Sequence, residues 1–161
     1  MKRYEELFIA TTDTVVGIGA PMTESNRRKI MKIKERPEEK KLVVMVSSIA
    51  EARTFAGWNE NAEAIAQKYW PGQVTIVLEE VGLRIPHNKG LINLMNEVGP
   101  IYMTSANKSG HTTLKLKEAI ETFPEIKRHY NFGFGTNVSS TIIRASNMAI
   151  IRQGDVRIKI G

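Results

Sequence analysis

Cysteine is absent from the 161-residue chain, which excludes disulfides, thiol nucleophiles and thiolate metal sites. Aspartate is almost absent: only Asp13 and Asp155 occur, so a paired-aspartate site is not expected. His87, His111 and His129 show no ligand spacing and read as surface residues, so no metal ligand is expected among them. No apolar run approaches the roughly twenty residues that a membrane span requires. Met1-Lys-Arg-Tyr-Glu-Glu6 is charged with no long apolar region behind it, so no signal peptide is expected. A P-loop and a Gly-x-Ser-x-Gly elbow are also missing. Gly133-Phe-Gly135 supplies only part of a dinucleotide fingerprint and is followed by a strand-like run instead of a helix.

What is present is ordinary globular material, 42% hydrophobic and 25% charged, long enough for one domain over residues 1–161 with a real core. A cytoplasmic protein fits these features. The net charge is +6, and Arg27, Arg28, Lys29, Lys32, Lys34, Arg36, Lys40 and Lys41 fall close together against Glu35, Glu38 and Glu39. A surface of that kind favours polyanions such as nucleotides or RNA. A solvated helix face accounts for it equally well.

In chain order, Leu7-Phe-Ile-Ala10 predicts a buried strand, running into Thr11-Thr-Asp-Thr14 and Val15-Val-Gly-Ile-Gly19. Hydroxyls, a carboxylate and glycines there suit a ligand-facing loop, a turn or a helix cap. A basic helix is expected from about Thr23 to Lys34, with Pro37 helping to end it, then a central strand at Leu42–Val46. Ser48-Ile-Ala-Glu51 has capping-box spacing and opens a short helix. A further helix follows Asn59, with Ala62, Ile65, Ala66 and Tyr69 on one face. After Trp70-Pro-Gly72, Gln73–Leu78 reads as a strand, and Leu83-Arg-Ile-Pro86 as an extended piece at an edge or a strand end. Leu91–Glu97 and Leu114–Thr122 predict helices, and Ile101–Met103 a strand. Asn131–Gly135 predicts a flexible connection, and Ser140–Ile143, Met148–Arg152 and Val156–Ile160 predict strands. Interleaved strands and helices give an α/β domain, and the late short strands a mixed sheet.

Two stretches stand out as chemistry. Thr104-Ser-Ala-Asn-Lys-Ser-Gly110 gathers hydroxyls and amides behind a strand, where side chains and backbone can approach an anion, although hydroxyl-rich turns are common. Lys34 and Arg36 lie two apart, and on an extended segment both can face one cleft.

Thr11-Thr-Asp-Thr-Val-Val-Gly-Ile-Gly19 resembles the Pro-Thr-Asp-Thr-Val-Tyr-Gly-Leu-Gly segment of the YrdC-like family, the threonylcarbamoyl-AMP synthases. Ile33-Lys-Glu-Arg-Pro37 resembles its Lys-x-Arg-Pro element, and Trp70-Pro-Gly-Gln-Val-Thr75 its Trp-Pro-Gly-x-x-Thr. Leu83-Arg-Ile-Pro86, Thr104–Gly110, Ser140-Thr-Ile-Ile143 and Arg152-Gln-Gly154 follow in the family's order. The resemblance spans about Ile9 to Gly154. It implies a single twisted mixed-sheet α/β domain with flanking helices and a basic concave cleft.

The activity it implies is formation of threonylcarbamoyl-AMP and pyrophosphate from L-threonine, bicarbonate and ATP, with Mg2+ accompanying the ATP. Downstream proteins then pass the threonylcarbamoyl group to tRNA, itself a further candidate partner. By the same resemblance Lys34, Arg36, Ser105 and Asn107 form the catalytic, phosphate- or adenylate-binding set. Thr12, Arg84, Thr104 and Ser140 line the threonine pocket, with Arg84 on its carboxylate, and Arg152 contacts the nucleotide. The chain departs from the pattern at Val16, where the family has tyrosine, at Thr11 and Lys41, where it has proline, and at Arg144, where it has aspartate. The N-terminus is also short for the pattern. A catalytically weakened tRNA- or double-stranded-RNA-binding module of the same fold is the alternative. A carbamoyl-adenylate enzyme, as in domains of hydrogenase maturation proteins, is a third reading.

Overall fold

The computed structural model describes residues 6–35, 42–107 and 114–159. Within them nine short strands form one twisted mixed sheet: β1 (Phe8–Ala10), β2 (Gly17–Pro21), β3 (Val43–Met45), β4 (Val74–Val77), β5 (Gly82–Arg84), β6 (Ile101–Ser105), β7 (Arg128–Tyr130), β8 (Thr141–Arg144) and β9 (Ile150–Arg152). Their spatial order is β7-β1-β2-β6-β3-β5-β4-β8-β9. The pairs β1–β7, β3–β5 and β4–β8 run parallel and the other five antiparallel. The apolar run Leu42–Val46 thus supplies the central strand, as its composition predicts. Among the described residues five helices flank the sheet: α1 (Glu24–Lys34), α2 (Ile49–Ala52), α3 (Glu60–Tyr69), α4 (Lys89–Val98) and α5 (Leu116–Thr122). Among the described residues no helix is long and apolar enough to cross a membrane.

Capping chemistry sets most helix starts. Thr23, Ser48, Asn59 and Asn88 sit in extended backbone, and each side-chain oxygen accepts the N–H three residues on. The Glu51 carboxylate reaches back as a capping box requires, but to the N–H of Ser47, one residue before the cap. Helix α1 ends at Glu35, whose left-handed backbone (φ 57°) returns its N–H to the carbonyls of Lys32 and Met31. Pro37 lies outside the described residues.

Side-chain alternation divides the sheet into two faces. Ile9, Ile18, Val44, Ile76, Leu83 and Ile143 point to one side, where they form the main core with Ile30 and Ile33 of α1, Ile65 and Ala66 of α3 and Ala119 of α5. Phe8, Ala10, Met45, Ile101 and Met103 point to the other and pack against Leu91 and Met95 of α4. Helix α4 covers only that part of the second face. Further along the sheet the same face carries Val43, Thr75, Val77, Gly82, Arg84 and Ile142, which line a cavity.

The structure departs from the sequence expectations at five places. Strand β2 occupies a stretch expected as loop or turn. Its glycines remove bulk: a Cβ on Gly17 would strike Met103 Sδ, and one on Gly19 the Phe8 ring. Strand β7 was not expected, because Arg128 and His129 are exposed and only parallel pairing with β1 makes the segment a strand. Strand β5 is interior, so Pro86 marks a strand end and not an edge. Strand β6 continues to Ser105, which puts Thr104 and Ser105 on the sheet instead of in the following loop. Residues 156–159 alternate, with Val156 and Ile158 packed on the core, yet they have no ladder partner among the described residues.

Candidate active site

The cavity over the open half-face measures about 170 Å3. Its floor is apolar (Val43, Val77, Ile142), and its polar groups include hydroxyls from Thr12, Thr14, Thr75, Thr104, Ser105, Ser139 and Ser140, with Arg84 and Arg152. Among the described residues no aspartate or glutamate lines it. A concave site with hydroxyl donors, guanidinium groups and no carboxylate suits an anionic ligand.

Lys34 reaches this site from the last turn of α1. Ile30, Met31 and Ile33 bury the helix face against the core, and the Lys34 stem follows them inside, leaving the residue 2% exposed. Its Nζ donates to Thr104 Oγ1 at 2.8 Å and to Ser105 Oγ at 3.4 Å. Ser105 lies opposite Gly17 in the ladder, and Asn107, also buried, follows two residues later. Lys34 is the last residue of α1, as the helix expected from about Thr23 to Lys34 predicts, so the condition under which Lys34 and Arg36 would face one cleft from an extended segment is not met at Lys34. Arg36 lies outside the described residues, as do Lys108, Ser109 and Gly110 of the hydroxyl-rich stretch.

Arg84, at the end of β5, is held from behind. Its Nη1 donates to both carboxylate oxygens of Asp13, at 2.7 and 2.8 Å, and to the Gly72 carbonyl at 3.0 Å. Its Nη2 lies 3.3 Å from Thr14 Oγ1. Asp13 Oδ2 also accepts the His87 N–H at 2.8 Å. Thr12 lines the cavity, but its hydroxyl serves its own loop, donating to the Val15 carbonyl at 2.6 Å and accepting the Thr14 N–H at 3.0 Å.

Ser140, just before β8, shares a 2.7 Å hydrogen bond with Thr75 of β4. Arg152 of β9 crosses to it, donating from Nε to the Ser140 carbonyl at 2.9 Å and from Nη2 to its hydroxyl at 3.3 Å. Gly154 lies against this segment so closely that a Cβ would strike the Ser139 carbonyl. The structure thus brings Thr12, Arg84, Thr104, Ser105, Ser140 and Arg152 around one cavity, with Lys34 bonded to two of its hydroxyls. Sequence reasoning missed Asp13 as the partner of Arg84 and Thr75 as the partner of Ser140. Both belong to stretches that carry the family resemblance, and that was the available signal.

The chain is thus a mixed-sheet α/β domain with a cavity lined by hydroxyls and two arginines on one sheet face. The Sua5/YciO/YrdC family model (Telomere recombination) matches residues 2–154, and the chain belongs to that family. A putative threonylcarbamoyl-AMP synthase of Methanocaldococcus jannaschii is 30% identical over 172 aligned positions, covering 96% of this chain and 82% of that protein. The threonylcarbamoyl-AMP synthase of Bacillus subtilis is 30% identical over 126 positions, covering 67% of this chain but only 36% of that longer protein. The crystal structure of P. abyssi Sua5 complexed with L-threonine superposes with a TM-score of 0.84 at 27% identity, covering 95% of this chain and 52% of that one.

Proposed function

We propose that the chain is a threonylcarbamoyl-AMP synthase, a nucleotidyltransferase joining L-threonine, bicarbonate and ATP. The observation that carries this reading is Lys34, a buried ammonium bonded to two hydroxyls of a cavity that two arginines also line. The relatives named as synthases and the threonine-bound structural neighbour support it.

In this reaction the threonine amine and bicarbonate combine, losing water, to give N-carboxy-threonine. One of its new carboxylate oxygens attacks the α-phosphorus of ATP, the bond from that phosphorus to the β-phosphate bridging oxygen breaks, and pyrophosphate leaves. Two anions must be brought together, so positioning and cationic stabilisation matter more than a covalent nucleophile. Lys34, Arg36, Ser105 and Asn107 would hold phosphate and adenylate oxygens, and Arg152 the nucleotide. Thr12, Thr104 and Ser140 would surround the threonine, with Arg84 on its carboxylate. Magnesium would accompany ATP through phosphate oxygens and water. Among the described residues no carboxylate lines the cavity, and Asp13 is engaged by Arg84 and His87, so no protein ligand for it is assigned. Downstream transferase proteins would carry the product to tRNA.

The test is pyrophosphate release from ATP with and without threonine and bicarbonate, beside Lys34→Ala. Release that requires both co-substrates and disappears in the variant supports the synthase. A folded wild-type protein that releases none sinks it.

A further inference from the structure

Arg84 is 3% exposed and Asp13 8%. A guanidinium buried this deeply is costly without a counter-charge and good hydrogen-bond geometry. Asp13 supplies both, through the two contacts from Nη1, and Asp13 is itself fixed. Its second oxygen holds the His87 N–H, and its backbone carbonyl accepts the Thr136 N–H at 3.1 Å. Gly135 lies so tightly on the Thr12–Thr14 backbone that a Cβ there would strike the carbonyls of Thr12 and Thr14. The loop bearing Asp13 is therefore clamped between the segment at 135–137 and the start of α4.

The two partners face different spaces. Arg84 lines the cavity with Thr12 and Thr14, whereas Asp13 does not line it. Asp13 faces a separate surface pocket with Tyr69, Gln73 and His87. Nη1 is committed to Asp13 and Gly72, Nη2 has one contact, and Nε has no hydrogen-bond partner among the described residues.

We propose that Asp13 is a positioning residue: it grips the Nη1 edge of Arg84 and so holds the Nε and Nη2 donors in place for the carboxylate of an amino-acid substrate. This rests on the reading of Arg84 as the threonine-carboxylate group. A purely structural ion pair would affect stability alone. A positioning residue affects recognition of one functional group.

The test is Asp13→Asn, which keeps the volume but replaces one acceptor oxygen with a donor facing other donors. Calorimetric titrations use L-threonine and L-threoninol, in which a neutral hydroxymethyl group replaces the carboxylate. D13N should weaken threonine binding about 10- to 100-fold, leaving threoninol and ATP binding unchanged. Equal losses for both ligands, or no loss, overturn the proposal. If D13N does not fold, the double variant D13N/R84Q, a neutral pair, is compared with R84Q alone. Equal threonine affinity is expected because the effect of Asp13 on threonine recognition runs through Arg84, and a further loss in the double variant overturns the proposal. Threonine binding without pyrophosphate release would sink the synthase reading and leave the role of Asp13 standing. Synthase activity untouched by D13N would do the reverse.

Discussion

Lys34 Nζ and Thr104 Oγ1 are 70 residues apart in the chain and meet at 2.8 Å, joining the end of helix α1 to strand β6 beside the cavity. Lys34→Met keeps the length and apolar stem of this side chain and removes its charge. Pyrophosphate release should fall about 100- to 1000-fold, as for loss of one preorganised electrostatic group. The thermal midpoint should hold or rise, because no buried charge remains to be desolvated. Near-normal turnover in Lys34→Met would remove Lys34 from the site.

Gly135→Ala tests the clamp on the Thr12–Thr14 loop. The added methyl meets backbone atoms, which cannot swing aside as a side chain can. A loss of about 1–3 kcal/mol in urea unfolding is expected, as for overpacking elsewhere. An unchanged urea midpoint would mean that this segment is free to move away.

Asn59 has two jobs that substitution can separate. Its side-chain oxygen caps α3 at the Ala62 N–H (2.8 Å), and its amide donates to the Ala145 carbonyl beyond β8 (3.1 Å). Asn59→Ala should cost about 1–2 kcal/mol of stability, the upper end if both contacts count. Asn59→Ser keeps a cap and should recover part of that loss. Equal losses for the two would mean that only the contact to Ala145 matters.

Glu63 carries a pH dependence with a resolved cause. The hydrogen-bonded Arg53 guanidinium, followed by Gln67 and Trp58, holds its carboxyl down to about 2 from the ordinary 4.5. A carboxyl depressed on folding contributes stability that is present above its unfolded value and lost as pH falls through the folded one. The denaturation-midpoint gap between wild type and Glu63→Gln should therefore be full at pH 6 and close progressively from about pH 4.5 to 2. Because the pair is exposed, salt should narrow the gap. A gap independent of pH would mean that the ionised carboxylate contributes nothing.

Helix starts and the central strand were legible because their signals are local. Thr23, Ser48 and Asn59 cap the next few residues, and Leu42–Val46 is apolar whichever strands flank it. Strands β2 and β7 were not legible. Gly17 and Gly19 are poor strand residues until Met103 and Phe8 lie over them, and exposed Arg128 and His129 carry no alternation at all.

The sequence by itself determined the α/β mixture, the absence of thiol chemistry, and the order of motifs that marks the family. Only the tertiary structure decided that Asp13 belongs to Arg84, that Thr75 belongs to Ser140, and that Lys34 meets Thr104. Those contacts join residues 65 to 71 positions apart. They depend on strand order and register, and local periodicity carries no record of which strand lies beside which.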